Sequence, residues 1–182
     1  MQTVAIRLNP LEYKNIDSVE NLIRYITRTR PDEDKKEELL AYGFTYGNLY
    51  LRPIEDVIKE FEFIHKYYSA THCLMCHYVI RFSDDNFYKL DSPLQILCDY
   101  GSACCRYLFE MGFQACYAIH DNGEKFPHVH LAINTINYMN GRKLRQYPVE
   151  LYNNIELPLR RLLESMLKPP TDTPATIDEL FD

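Results

Sequence analysis

Two short apolar segments, residues 114–120 and 128–135, flank a loop that contains Asn122-Gly123. Each segment has the length of a β-strand, and the Asn-Gly pair indicates a turn in the loop that joins them, so the two segments are predicted to form a hairpin. On the second segment, apolar residues alternate with His128 and His130. Side chains alternate across a strand, so the two imidazoles share one face and the apolar residues share the other. This hairpin predicts an antiparallel sheet whose apolar face packs on helices.

Apolar spacing predicts further elements around the hairpin. We expect a strand at 2–7, a helix from Asp17 or Ser18 to about Thr29, a strand within 42–52, a helix at 54–68, a strand at 73–82, a helix at 93–112, and a helix at 151–167 interrupted near Pro158. Strands that alternate with helices, together with one adjacent strand pair, predict an α+β fold. We expect a central antiparallel β-sheet of about five strands, with helices packed mainly on one face.

The size of the chain suits one folded domain. It has 182 residues, of which 46% are hydrophobic. We expect a domain over residues 1–168 and an acidic tail over residues 169–182, which begins at Pro169-Pro170. No apolar run approaches the roughly 18 residues needed to span a bilayer, and the first residues do not resemble a signal peptide. We therefore expect no membrane association and a cytoplasmic location.

The formal net charge of −6 argues against a strongly basic nucleic-acid-binding protein. However, residues 171–182 carry four acidic and no basic side chains, so the rest of the chain is near −2. The basic residues that remain are clustered, and local clusters matter more than the total charge for binding phosphate.

Six cysteines in a chain without a secretion signal are expected to be reduced thiols. Cys73 and Cys76 form a CxxC pair flanked by His72 and His77, but no second CxxC completes a set of four zinc ligands. The segment also resembles a strand, in which side chains three residues apart face opposite sides. This disfavours a structural zinc site.

Three of the six histidines, His120, His128 and His130, lie within one stretch of eleven residues on the predicted hairpin. The hairpin would bring His120 beside the other two, so that three imidazoles converge on one ion and leave positions open for water or substrate. The alternative is a hydrogen-bonded histidine pair on a half-exposed strand. Imidazole ligands alone favour zinc or manganese over magnesium. Three further residues could orient an imidazole N–H, although each also suits a turn or the surface: Asp121, Glu124 and Asn134.

Tyr25 is a candidate nucleophile among fifteen tyrosines because of its position. It falls at the border of the apolar stripe of the first predicted helix, about 100° from its centre, rather than within it. Arg24, Arg28 and Arg30 flank it. A cationic surround would stabilise a phenolate and attract phosphate. The alternative is an ordinary boundary tyrosine of an amphipathic helix.

Taken together, these motifs resemble the DNA relaxases of plasmid mobilisation and conjugation, which belong to the HUH endonuclease superfamily. Four stretches carry the resemblance, in the family's order and over most of residues 1–168: the nucleophile helix at Asn21–Arg28, a strand with a polar turn at His77–Asp84, the metal motif at Tyr117–Asn134, and the segment Asn137–Leu144. The resemblance matches Tyr25 to the active tyrosine and the three histidines to the metal ligands.

The resemblance implies site- and strand-specific nicking and rejoining of DNA at a transfer origin, through a 5′-phosphotyrosyl intermediate, with Mg²⁺ or Mn²⁺ as cofactor and Zn²⁺ as a further option. It implies single-stranded or hairpin DNA as the partner, with relaxosome accessory and coupling proteins as further partners. The basic residues expected to follow DNA phosphates are Arg24, Arg28, Arg30, Arg142, Lys143 and Arg145.

Three alternatives stay open at this point. A rolling-circle replication initiator shares the histidine and tyrosine chemistry, but its tyrosine usually follows the histidines, where Tyr138, Tyr147 and Tyr152 lie. A catalytically degenerate relative would bind an origin as an accessory protein without cutting it. A zinc metalloprotein unrelated to DNA would hold one tight zinc ion and have no affinity for DNA.

Overall fold

The computed structural model describes residues 11–13, 18–30, 38–44, 52–81, 92–121, 127–145 and 147–167. Glu124, the predicted strand at 2–7 and the predicted acidic tail lie outside these residues. The strands are β1 (Leu11–Tyr13), β2 (Glu38–Phe44), β3 (Met75–Arg81), β4 (Ala115–Asp121) and β5 (His128–Asn134). The helices are α1 (Ser18–Ile26), α2 (Ile54–Tyr67), α3 (Pro93–Glu110), α4 (Pro148–Leu151) and α5 (Leu157–Met166), with a π-helical turn at Tyr152–Glu156 before α5.

The strands form one antiparallel sheet in the order β1-β3-β5-β4-β2. The predicted β4–β5 hairpin partners are adjacent, and β5 lies at the centre with β3 on its other side. The α+β class and the central antiparallel sheet of about five strands are therefore confirmed. The three-residue strand β1 was not predicted, since it is too short to give a periodic signal.

One face of the sheet packs on α3, α4 and α5. Its core includes Tyr78 from β3, Tyr117 from β4, and Leu131 from β5, all of which are buried. The Tyr117 ring fills the space that a side chain at Gly101 of α3 or at Gly43 of β2 would need, because a Cβ atom at either position would lie 2.4–2.5 Å from that ring. Two glycines therefore allow α3 to lie directly on this part of the sheet.

The other face carries the histidines, and α1 and α2 pack on it. The four apolar residues of the predicted stripe on α1, Val19, Leu22, Ile23 and Ile26, are fully buried there. The prediction that helices lie mainly on one face is therefore wrong in this respect. The physical reason lies in the small apolar residues between the histidines: Cys116, Ala118 and Ala132 give α1 a surface on which to dock.

The start of β2 and the irregular turn before α5 can be compared with the predicted elements. Strand β2 begins at Glu38, four residues before the predicted segment 42–52, because the charged run before Leu39 hid its start. The predicted interruption near Pro158 is confirmed by the π-helical turn at Tyr152–Glu156. Pro158 has no N–H to donate and its ring crowds the carbonyl four residues earlier, so regular α-helical bonding cannot continue through it.

Within the described residues, none of the helices combines the length and the apolar composition that crossing a membrane requires.

Candidate active site

His120, His128 and His130 form a compact, buried cluster, here called the histidine triad. One ring nitrogen from each lies within 4.8 Å of those of the other two. Ring centroids are 4.3 Å apart for His120 and His130, 4.8 Å for His128 and His130, and 5.8 Å for His120 and His128. The predicted convergence of these three imidazoles is therefore present, and the triad could bind a metal ion.

The register of the hairpin produces this convergence. His120 of β4 stands directly opposite His128 of β5, and Ala118 stands opposite His130. Because residues two apart on a strand share a face, all three imidazoles project from the α1 side of the sheet. The methyl group of Ala118 leaves room for the His130 ring between the strands.

The hydrogen bonds of the triad indicate which nitrogens can bind a cation. His120 Nε2 lies 2.6 Å from the Ile26 carbonyl oxygen, which can only accept, so this nitrogen donates its proton. His120 Nδ1 then carries the lone pair, and it accepts from Arg28 Nη2 at 3.3 Å. His130 Nε2 is buried without a hydrogen-bond partner among the described residues. An unpartnered buried imidazole nitrogen is costly unless something fills that role, and a metal ion fits it.

Tyr25 lies at the end of α1 and reaches the triad. Its ring is 5.7 Å from that of His130 and 6.0 Å from that of His77, in edge-to-face geometry. The side chain is half-buried, as expected at the border of the apolar stripe. The structure therefore brings together Tyr25 and the three histidines, which are up to 105 residues apart in the sequence.

Arg28 and Arg30 place two guanidinium groups over the Tyr25 ring, at 5.3 and 5.5 Å from its centroid. Arg28 has a left-handed backbone conformation, with φ of 54°. It closes α1 with the paired bonds of a Schellman turn, from Arg28 N–H to the Tyr25 carbonyl and from Thr29 N–H to the Arg24 carbonyl. Glycine usually occupies this position, so the arginine is kept there at some cost in strain. The turn directs its side chain to His120.

The other predicted basic residues lie elsewhere. Arg24 is paired with Glu20 and Glu55 on the exposed side of α1. Arg142, Lys143 and Arg145 follow the last strand, and Ile136 pairs with Lys143 beyond the end of β5. His128 begins that seven-residue strand, so this group lies on the order of 20 Å from the triad. Its role in binding DNA stays a prediction.

The predicted orienting residues are separated as well. Asp121 ends β4, opposite Glu38 of β2. Asn134 lies at the far end of β5, where its amide bonds to His65 Nε2 at 2.7 Å and to Gln114 Oε1 at 2.9 Å. The structure therefore does not bring Asn134 to the triad.

His77 of β3 is a neighbour of the triad that was not among the predicted site residues. Its Nε2 lies 2.9 Å from His130 Nδ1, and the two rings stack at 5.1 Å. The available signal was the alternation along β3, which places His77 and the triad on one face once β3 is known to pair with β5. Nothing in the sequence fixes that pairing.

The later tyrosines of the rolling-circle alternative do not share this location. Tyr138 donates its hydroxyl to the Phe109 carbonyl at the end of α3. Tyr152 is the first residue of the π-helical turn. Leu151, which precedes it, and Ile155 of the same turn pack in the core on the opposite face of the sheet. Among the described residues, Tyr25, which precedes the histidines, has the ring contacts with His130 and His77 given above.

Comparison with known proteins identifies the family of this chain. The family model described as relaxase, MobA/VirD2-like, nuclease domain, matches residues 25–166, well over half of the chain. The chain belongs to the MobA/VirD2-like relaxase family. The expected family resemblance is confirmed, and the match begins at Tyr25 itself. No curated protein matches this relaxase sequence.

A solved structure shares the fold. It is the MobM relaxase domain (MOBV; Mob_Pre) bound to a 22-nucleotide oriT DNA of plasmid pMV158, a manganese-bound crystal structure at pH 5.5. The match has a TM-score of 0.54 at 14% identity and covers 96% of this relaxase and 94% of the MobM chain. At this identity the match shows a common fold.

Acidification below about pH 6.5 is expected to destabilise the metal-free relaxase. Burial lowers the pKa of His65 and His130, and it lowers the pKa of His77 to about 4, with the charges of His120 and His128 adding to the effect. Below pH 6.5 the unfolded chain therefore binds protons that the folded chain excludes, and the free energy of unfolding falls. Each such histidine contributes about 1.4 kcal/mol per pH unit within its window, which for His77 ends near pH 4.

Urea unfolding between pH 7.5 and pH 5 measures this slope. His77→Gln removes one titrating group. It should lower the slope of the free energy of unfolding against pH by the contribution of one histidine, about 1.4 kcal/mol per pH unit. A free energy of unfolding that stays constant or rises towards pH 5 would contradict the prediction.

Proposed function

We propose that this relaxase nicks and rejoins one DNA strand at a transfer origin, with a divalent metal in the histidine triad and Tyr25 as nucleophile. The single observation that carries the proposal is the contact of the Tyr25 ring with His130, beside a buried imidazole nitrogen that lacks a partner. Membership of the relaxase nuclease family supports the same reaction.

The triad fits a metal cofactor by its donor set. It offers three imidazole nitrogens and would leave positions for phosphate oxygens, as an open catalytic site requires. When bound, the ion supplies Lewis-acid stabilisation of a phosphate oxygen. Nitrogen ligands favour Mn²⁺ over Mg²⁺ and also accept Zn²⁺, and the related MobM structure contains manganese.

The protein's own groups carry the covalent step. The Tyr25 hydroxyl oxygen forms a bond to phosphorus as the bond from phosphorus to the 3′ oxygen breaks. The phenol loses one proton and the departing 3′ oxygen gains one, so the step has no net proton change. One phosphodiester replaces another, and attack by a 3′-hydroxyl reverses the reaction and reseals the strand.

Arg28 and Arg30 hold positive charge where the phosphate would lie. Their guanidinium groups flank the Tyr25 ring, and preorganised charge stabilises the developing phosphorane without reorganisation. The Arg28 guanidinium also lies 3.3 Å from His120 Nδ1, so it links the tyrosine to the triad that would hold the metal ion. The DNA must be single-stranded or melted at the nick for a phosphate to reach this buried cluster.

Removal of divalent metal is expected to abolish cleavage. We propose incubating the relaxase with a pool of single-stranded oligonucleotides and Mn²⁺, then separating covalent adducts on a denaturing gel. A 5′-phosphotyrosyl link keeps a 3′-end label on the protein and releases a 5′-end label. EDTA present from the start should prevent formation of the adduct, and an excess of added Mn²⁺ should restore it. An adduct formed equally in EDTA would contradict metal dependence, and one that retains the 5′ label would contradict the proposed linkage.

A further inference from the structure

His77 and His130 form a buried imidazole pair at the edge of the triad. His77 lies on β3 and His130 on β5, where Val79 is the direct partner of His130 and His77 is two residues further along the same face. Both rings are almost fully buried, at 2% exposure. The 2.9 Å distance between His77 Nε2 and His130 Nδ1 is a hydrogen bond, so one of these two nitrogens carries the proton.

The second ring nitrogen of His130 indicates whether His77 Nε2 or His130 Nδ1 carries the proton of this hydrogen bond. His130 Nε2 is buried and has no hydrogen-bond partner in the described part of the chain, and it can bind a cation only through its lone pair. The ring proton must then be on Nδ1, which donates to His77 Nε2. The opposite arrangement would leave a buried N–H without an acceptor, aimed into the triad, which costs more than leaving a lone pair there for an ion.

His77 itself is outside the set of ligands. The group whose nitrogens could share one ion contains His120, His128 and His130. His77 contacts the Nδ1 side of His130, away from the nitrogen that is available to the metal. It therefore lies behind a ligand rather than beside it.

We propose that His77 is a positioning residue, which accepts the His130 Nδ1 proton and thereby fixes the tautomer and orientation that His130 needs to bind the metal. This rests on the metal site of the proposed function. Groups that accept the outer N–H of a ligand histidine are commonly carboxylates or carbonyls, and their loss typically weakens metal binding 10–100-fold. Here a neutral imidazole takes that role.

The tautomer is measured first, in the metal-free protein at pH 7.5. Long-range ¹H–¹⁵N correlation spectra distinguish a protonated Nδ1 from a protonated Nε2 in histidine rings. The proposal expects the Nδ1-protonated form of His130 in the natural chain. Observation of the Nε2-protonated form would overturn it without any variant having to fold.

Two substitutions then separate positioning from packing. His77→Gln keeps an acceptor oxygen at a similar reach, whereas His77→Leu keeps bulk and removes the acceptor. Calorimetric titration with Mn²⁺ is expected to show affinity within a few-fold of the natural chain for His77→Gln and a 10–100-fold loss for His77→Leu. His130 should become a mixture of tautomers in His77→Leu alone.

The matched control is His65→Leu. His65 is also a buried histidine bonded to β5, but through Asn134 at the opposite end of the strand. Its substitution should leave the Mn²⁺ affinity unchanged. Equal affinity in His77→Leu and the natural chain would overturn the positioning role. A natural chain that does not bind Mn²⁺ would instead overturn the metal site. The ¹H–¹⁵N spectra would in that case still show which nitrogen of His130 carries the proton.

Discussion

Tyr25→Phe is expected to eliminate the covalent protein–DNA adduct while leaving DNA binding in place. Phenylalanine keeps the ring that contacts His77 and His130 and lies under Arg28 and Arg30, and it removes only the hydroxyl. Loss of a nucleophile reduces turnover by on the order of a thousandfold or more. The measurement is the yield of adduct that retains a 3′-end label, beside binding of the same oligonucleotide by fluorescence anisotropy.

The corresponding changes at Tyr138 and Tyr152 are the controls. Both tyrosines follow the histidines, and both are bonded or packed away from the triad. Tyr138→Phe and Tyr152→Phe should form the adduct at the natural yield. If Tyr25→Phe keeps the adduct and Tyr152→Phe loses it, the chain uses the tyrosine of a rolling-circle initiator instead. Loss in neither variant would place the nucleophile at another residue.

His128→Ala is expected to reduce Mn²⁺ affinity more than a hundredfold, because it removes one of the three proposed metal ligands. Loss of a hydrogen-bond partner of a ligand alone typically costs about 10–100-fold. His128 faces His120 across the hairpin, and its ring is 4.8 Å from that of His130. The remaining two imidazoles cannot enclose an ion on three sides. Calorimetric titration of the metal-free protein measures the change.

The control for His128→Ala is His65→Ala, which creates a similar cavity at another buried histidine. Far-ultraviolet circular dichroism should show that both variants keep the sheet. The expected outcome is a large loss of affinity in His128→Ala and none in His65→Ala. Retained affinity in a folded His128→Ala protein would remove this residue from the metal site.

Local patterns predicted the part of the site that comes from adjacent or single elements. The hairpin places His120 opposite His128 because its two strands are joined by a short loop, and strand alternation places His130 on the same face. The apolar stripe of α1 predicted the buried face and the half-buried position of Tyr25 at its border. These relations depend on spacing along a few residues, which the sequence displays directly.

Contacts between elements that are distant in the sequence could not be predicted from it. The pairing of His77 with His130 depends on β3 lying beside β5, and 46 residues separate the two strands. The pairing of His65 with Asn134 likewise joins α2 to the end of β5. The docking of α1 on the histidine face depends on alanines at positions that resembled part of a polar surface. Such contacts are set by the packing of the whole domain and leave no periodic signal.

The left-handed conformation of Arg28 has a consequence for how this position can vary. Glycine there would relieve the backbone strain and make α1 easier to form, but it would delete the cation that lies over Tyr25 and bonds to His120. Foldability and chemistry therefore favour different residues at one site. The arginine makes the turn less stable but places a positive charge beside the tyrosine and the histidine. Conflicts of this kind between stability and activity are common in active sites.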